Sequence, residues 1–143
     1  MEASIFRWLA ECPHLGNLFV AAARTGAEGA LLRFASAGAD EVVQTFIGGS
    51  ERRRAFTVTL LAPYSDSPND EGSLAPYARA RALVRWVETR NAQGALPELG
   101  AGRAAVRVGA EYTPIAAPAQ GETRRLELPV RCFVDYLETE ETV

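Results

Sequence analysis

The chain has 143 residues, 48% of them hydrophobic and 23% charged, with a net charge of -3 and a pI near 5.2. That length can bury one ordinary core without metal or disulfide support, and the composition is that of a soluble globular domain. The acidic balance disfavours a dedicated nucleic-acid binder, and no apolar run is long enough to span a bilayer.

In chain order, residues 3–11 place Ile5, Trp8 and Leu9 at helical spacing, with Phe6 on the flank of the stripe. Pro13 ends the run, so a short amphipathic helix is predicted. Arg7 interrupts the apolar segment and no small-residue cleavage site follows, so no signal peptide is expected. The run 18–23 fits a buried strand or a helical turn, because a short apolar run has no decisive period. Thr25-Gly26 marks a turn. Strands are predicted at 28–35 and 41–47, joined as a hairpin by the small residues of 36–40. Gly48-Gly49-Ser50 reads as the next break. Residues 54–62 then alternate, Phe56, Val58 and Leu60 against Ala55, Thr57, Thr59 and Leu61, as a strand with one buried face does.

Residues 63–73 are rich in turn formers and read as an exposed loop, long enough to make a contact. A long helix follows, from Leu74 or Pro76 to about Arg90. Ser73 suits the N-cap, and Pro76 the first turn, where a missing N–H costs nothing. Leu74, Tyr77, Ala80, Val84 and Val87 form its apolar stripe, widened by Leu83, with Trp86 expected in the buried set. Arg79, Arg85 and Glu88 fall on or near the other side. Asn91 to Gly94 ends the helix, and Leu96-Pro97 fixes the exit. Two strands close the chain. In 104–112, Ala104, Val106, Val108, Ala110 and Tyr112 share a face. In 124–136, Leu126, Leu128, Val130, Cys132, Val134 and Tyr136 do. Pro129 cannot donate to a ladder, which implies a bulge or a sheet edge there. Residues 113–121 read as a long hairpin arm or loop, and 138–141 as a frayed acidic tail. Strands in consecutive runs point to an α+β fold over 1–143, one domain. It comprises a mainly antiparallel sheet, a long amphipathic helix on one face and a short N-terminal helix.

Little in the chain suggests chemistry. The only histidine, His14, follows Cys12 behind a proline, and Cys-Pro-His offers too few ligands for a metal. Cys12 and Cys132 lie far apart, and two reduced, buried thiols are expected in preference to a disulfide. Gly48-Gly49-Ser50-Glu51 lacks the lysine of a phosphate loop. Glu138, Glu140 and Glu141 are solvated, with no cleft to fix them as an acid–base pair. No catalytic, cofactor-binding or metal-binding residue is assigned. All fifteen basic residues are arginine, which fits a GC-rich coding bias or interface use. In Glu51-Arg52-Arg53-Arg54, a strand puts Arg52 and Arg54 on one face and Arg53 on the other. Such a run reads as a solvated strand edge that resists edge-to-edge pairing. The sharper reading is a subunit contact, with Arg52, Arg53 and Arg54 meeting Asp66, Asp70 and Glu71 and the acidic tail of a neighbour.

Three stretches carry a resemblance: Phe6 with Cys12-Pro13 and Leu15, the run from Trp86-Val87-Glu88-Thr89-Arg90-Asn91 through Gly94-Ala95-Leu96-Pro97-Glu98, and Arg131-Cys132-Phe133-Val134-Asp135-Tyr136. With the strand–loop–helix–strand–strand order, they resemble the small minor capsid or tail-completion proteins in prophages of Gram-positive bacteria, which are similar to phage tail terminators. The likeness covers nearly the whole chain and rests on packing and turn residues. It implies a compact α+β subunit that is not an enzyme and needs no cofactor. Copies would assemble as a ring, hexameric by that likeness, at the end of the tail tube and join it to the head. The implied partners are further copies, the tail tube protein and head–tail connector proteins, with no membrane and no sequence-specific nucleic acid. The implied location is the virion, after assembly in the bacterial host cytoplasm. The alternative is a small-ligand-binding or enzymatic α+β domain, with Phe56, Trp86, Tyr112 and Tyr136 lining a pocket between sheet and helix.

Overall fold

Apolar residues at helical spacing coil the start of the chain into α1 (Glu2–Ala10), which buries Ile5, Trp8 and Leu9 and half-buries Phe6. The computed structural model describes residues 1–20, 29–34, 40–63, 75–112, 117–118 and 125–139. The N–H groups of Glu11 and Cys12 close the last turn of α1 on the carbonyls of Trp8 and Leu9, and Pro13 cannot continue it. The ambiguous run that follows begins as a short strand, β1 (Asn17–Phe19), parallel to β2 (Gly29–Phe34). Residues 21–23 lie outside the described residues.

The predicted hairpin between 28–35 and 41–47 does not form. β2 and β3 (Glu41–Phe46) both pair antiparallel with β4 (Gly49–Pro63), β2 along Phe56–Leu61 and β3 along Gly49–Arg53. The chain reverses at Ile47-Gly48, so Gly49 and Ser50 are the first residues of a fifteen-residue strand, not a break before a shorter one. Alternation marks which residues share a face; it does not say which strand lies alongside.

β4 and β7 (Arg125–Thr139) form the centre of the sheet, in unbroken register from Gly49 opposite Thr139 to Pro63 opposite Arg125. The strand order is β1-β2-β4-β7-β5, with β5 at Arg103–Tyr112. β3 flanks β4, and the short β6 (Ala117–Pro118) flanks β7. Among the described residues the architecture is two helices and seven strands, with only β1 and β2 parallel. Glu138 and Thr139 belong to β7, so the predicted frayed tail begins as paired strand. Residues 64–74, 113–116, 119–124 and 140–143 are outside the described set.

Phe56, Val58 and Leu60 of β4 and Leu128, Val130, Cys132, Val134 and Tyr136 of β7 share one buried face, as their period of two predicts. They form a single cluster with Ile5, Trp8 and Leu9 of α1 and with Ala80, Leu83 and Val87 of α2 (Ala75–Gln93). Each large side chain there contributes about 1.5–3 kcal/mol by leaving water. The buried row of α2 is centred on Leu83, while Tyr77, Val84 and Trp86 are half-buried. Trp86 packs on the more deeply buried Trp8 with ring centroids 4.8 Å apart. Gly94, at φ 69°, ends the helix by letting the Ala95 N–H reach the Arg90 carbonyl at 2.9 Å and its own N–H reach that of Asn91. Glycine takes that left-handed conformation without a Cβ penalty.

Two further expectations change. In β5 the register passes from Ala105 opposite Tyr136 to Arg107 opposite Asp135, leaving Val106 unpaired in a bulge. The extra residue reverses the alternation before it, so Ala105 packs on the core while Ala104 and Val106 are exposed; beyond it Val108, Ala110 and Tyr112 face the core as expected. β7 is not bulged at Pro129, which lies opposite Thr59 in the unbroken β4–β7 register. On its other flank it falls between Val130, paired with Tyr112, and Glu127, paired with Ala117. No described strand there needs the N–H that proline lacks.

Candidate functional site

The arginine run 52–54 lies inside the sheet, not on a solvated edge. β7 pairs with all three residues, and β3 also flanks Arg52 and Arg53. Register decides what they meet. Asp135 stands directly between Arg53 on β4 and Arg107 on β5. Arg53 grips it through Nε–Oδ1 at 2.7 Å and Nη2–Oδ2 at 3.0 Å, and Arg107 adds Nη1–Oδ2 at 3.0 Å. This fork-to-carboxylate geometry leaves Asp135 fully buried, with charge-assisted bonds to both oxygens. Those bonds push the Arg53 guanidinium further above its ordinary pKa. Arg53 also stacks over the Phe133 ring at 4.0 Å. That ring in turn lies across Gly109, where a Cβ would collide with it.

Arg54 faces the opposite side of β4. It donates to Asp40 at 2.9 Å and to Glu2. Asp40 also accepts the Tyr136 hydroxyl at 2.5 Å. Burial, then this bond to Asp40, raises the Tyr136 phenol above its usual pKa. Arg52 reaches Glu138 at 3.4 Å and the Ser50 hydroxyl at 3.0 Å. Each of the three arginines is thus matched by an acid of its own chain. Asp66, Asp70 and Glu71, their expected partners, lie outside the described residues.

The exposed edge is β3. Val42, Val43 and Phe46 are 43–47% exposed, Ile47 at the turn is fully exposed, and all six residues of the strand face solvent. Among the described residues β3 pairs only with β4, and its other side is free. It carries a bulge at Val43, a device that twists an edge out of plane. The sequence signal was the run Val42-Val43-Gln44-Thr45-Phe46-Ile47 itself, β-branched and aromatic with no charge inside it.

Arg79, expected on the polar side of the helix, turns inward. It donates to the carbonyls of His14, Leu61, Leu15 and Gly29 at 3.1–3.4 Å, joining α2 to three strand ends. The Trp8 indole N–H likewise bonds the Ala95 carbonyl at 2.7 Å. The sequence holds no signal for either contact, since both partners are main-chain atoms far away in the chain.

The remaining groups have limited chemistry. Cys12 and Cys132 are buried free thiols; burial raises both pKa values, that of Cys132 to about 12, which keeps them protonated and weakly nucleophilic. Among the described residues no three His, Cys, Asp or Glu side chains gather as a metal would require. Of the four aromatic residues considered for a pocket, Phe56 and Tyr136 are buried in the core cluster, while Trp86 and Tyr112 are half-buried against it. Among the described residues no helix is long and apolar enough to cross a membrane. No model of a known protein family matches the chain, and no curated protein matches it.

Proposed function

We propose that the chain is a phage or prophage virion protein of the tail-terminator or tail-completion type. Copies form a ring at the end of the tail tube and join it to the head. The observation that carries this reading is the edge strand β3, whose run from Val42 to Ile47 is uncharged, with Val42, Val43, Phe46 and Ile47 in solvent. A ring needs a heterologous contact, one patch on a different patch of the neighbour. An edge strand supplies main-chain donors and acceptors for such a contact, and its side chains supply apolar area. In this reading α2 is the long amphipathic helix packed across one face of the sheet, with Ala80, Leu83 and Val87 inward. The fold is then anchored without β3, which is left to meet a neighbour. The intramolecular pairing of Arg52, Arg53 and Arg54 moves the expected contact from these arginines to β3.

The test adds purified protein to tail tubes that lack their terminal cap and scores tube length and head joining. Val43→Lys puts a charge on the edge, and Ile47→Asp one on the tip. Both are expected to abolish capping while shifting the melting temperature by no more than about 2 °C, as exposed substitutions usually do. If both variants cap normally, β3 is not the contact. If wild-type protein never binds tubes, the function is wrong.

A further inference from the structure

Four surface grooves of about 400–540 Å³ are lined by described residues. Three of them set a carboxylate against their arginines. One sets Arg7 and Arg90 against Glu11 and Glu98, the next Arg103 against Glu98, and the third Arg52 and Arg103 against Glu138. The remaining groove, about 540 Å³ along the outer side of α2, gathers His14, Arg81 and Arg85 beside Trp86 and Thr89, with no carboxylate among its described lining residues.

Its cations are also free. Neither Arg81 nor Arg85 makes an ion pair among the described residues, although Arg52, Arg53, Arg54, Arg90, Arg103 and Arg107 all do. The Arg81 Nε–H donates to the Tyr112 hydroxyl at 3.2 Å, which orients the side chain and leaves its terminal nitrogens available. Arg85 is exposed. Four residues apart, the two occupy neighbouring places on one helix face, where like charges repel unless an anion lies between them. Glu88, three positions beyond Arg85, makes no ion pair among the described residues and does not line the groove.

We infer that this groove of α2 docks an extended acidic segment of another polypeptide. Two adjacent planar guanidinium groups fit two side-chain carboxylates of an extended chain, each as a two-bond fork. Ala78 and Ala82 also line the groove, small enough to admit a backbone, and the half-buried Trp86 ring adds apolar surface. A nucleic-acid backbone fits less well, because it requires a track of many cations, and the other paired arginines are neutralised by the chain's own acids. The inference stands whether or not the chain caps a tail tube.

The test titrates fluorescein-labelled hexaglutamate with the full chain and follows anisotropy, using hexaglutamine and an oligothymidylate of equal length as comparison probes. Hexaglutamate alone should bind, more weakly as salt rises. Arg81→Gln/Arg85→Gln should weaken it by about tenfold or more, and Arg85→Gln, which spares the bond to Tyr112, by a smaller factor. Arg7→Gln, in a balanced groove, should leave it unchanged, and all variants should keep the parental melting temperature. The inference is overturned if hexaglutamate does not bind, if the double variant binds it as the parent does, or if oligothymidylate binds as tightly.

Discussion

Arg79 shows how much one side chain can hold in a small sheet. Four carbonyls, at the entry to β1, on β2 and near the end of β4, converge on its guanidinium. Removing it leaves them without that donor, three of them in part-buried contacts. Arg79→Ala is therefore expected to cost about 2–4 kcal/mol, read from urea unfolding. Arg79→Lys should recover less than half, because an ammonium cannot spread its donors over four directions. An unchanged midpoint for Arg79→Ala would mean these contacts do not stabilise the fold. Asp135 holds the same place on the polar face of the sheet, as a buried carboxylate between two arginines that remain partly hydrated. It fixes the register of three strands more than it adds net stability, since desolvating its charge offsets much of the attraction.

At the scale of elements, β7 matters most because it pairs along its whole length with β4 and also carries β5 and β6. Its inner row runs Leu128, Val130, Cys132, Val134 and Tyr136, all buried. Val130→Asp would place a carboxylate with no partner in the buried cluster, opposite Val58. The expected loss is on the order of 4 kcal/mol or more, unless the carboxyl takes up a proton and stays neutral. A variant that melts within about 2 °C of the parent would show this face to be outward. β3 differs in kind. It contributes no buried side chain.

For the whole molecule, the buried acids set an alkaline limit. Burial raises the Cys132 thiol from 9.0 to about 12, and burial with the bond to Asp40 raises the Tyr136 phenol as well. Both groups are neutral when protonated, and the fold holds the proton more tightly than the unfolded chain does. The stability they confer is complete below their unfolded pKa values; the thiol's share falls as pH rises from 9.0 toward about 12, and the phenol's as pH rises above 10.0. The thiol removes up to about 1.4 kcal/mol per pH unit within its window. Urea midpoints should thus drop steeply above about pH 9, and Cys132→Val should flatten the slope by the share of one group. A slope unchanged by that substitution would mean the thiol does not titrate with unfolding.

Local pattern alone placed α1, the long helix with its glycine stop, and the inner faces of β4 and β7, because a helical or twofold period sorts side chains before any partner is known. It did not find the pairing of β2 and β3 with β4, because 36–40 resembles a turn as well as Ile47-Gly48 does. It placed Val108, Ala110 and Tyr112 on the inner face of β5 but not the phase before them, since one unpaired residue at Val106 leaves no mark in composition. The arginine run was legible as a cluster but not as an edge or an interior. That distinction depends on Asp135, Asp40, Glu2 and Glu138, which come from other segments and meet it only when the sheet is assembled. The cations of α2 became distinctive for the same reason. Every arginine looks alike along the chain, and only the folded sheet supplied acids to Arg52, Arg53 and Arg54 while leaving Arg81 and Arg85 without them.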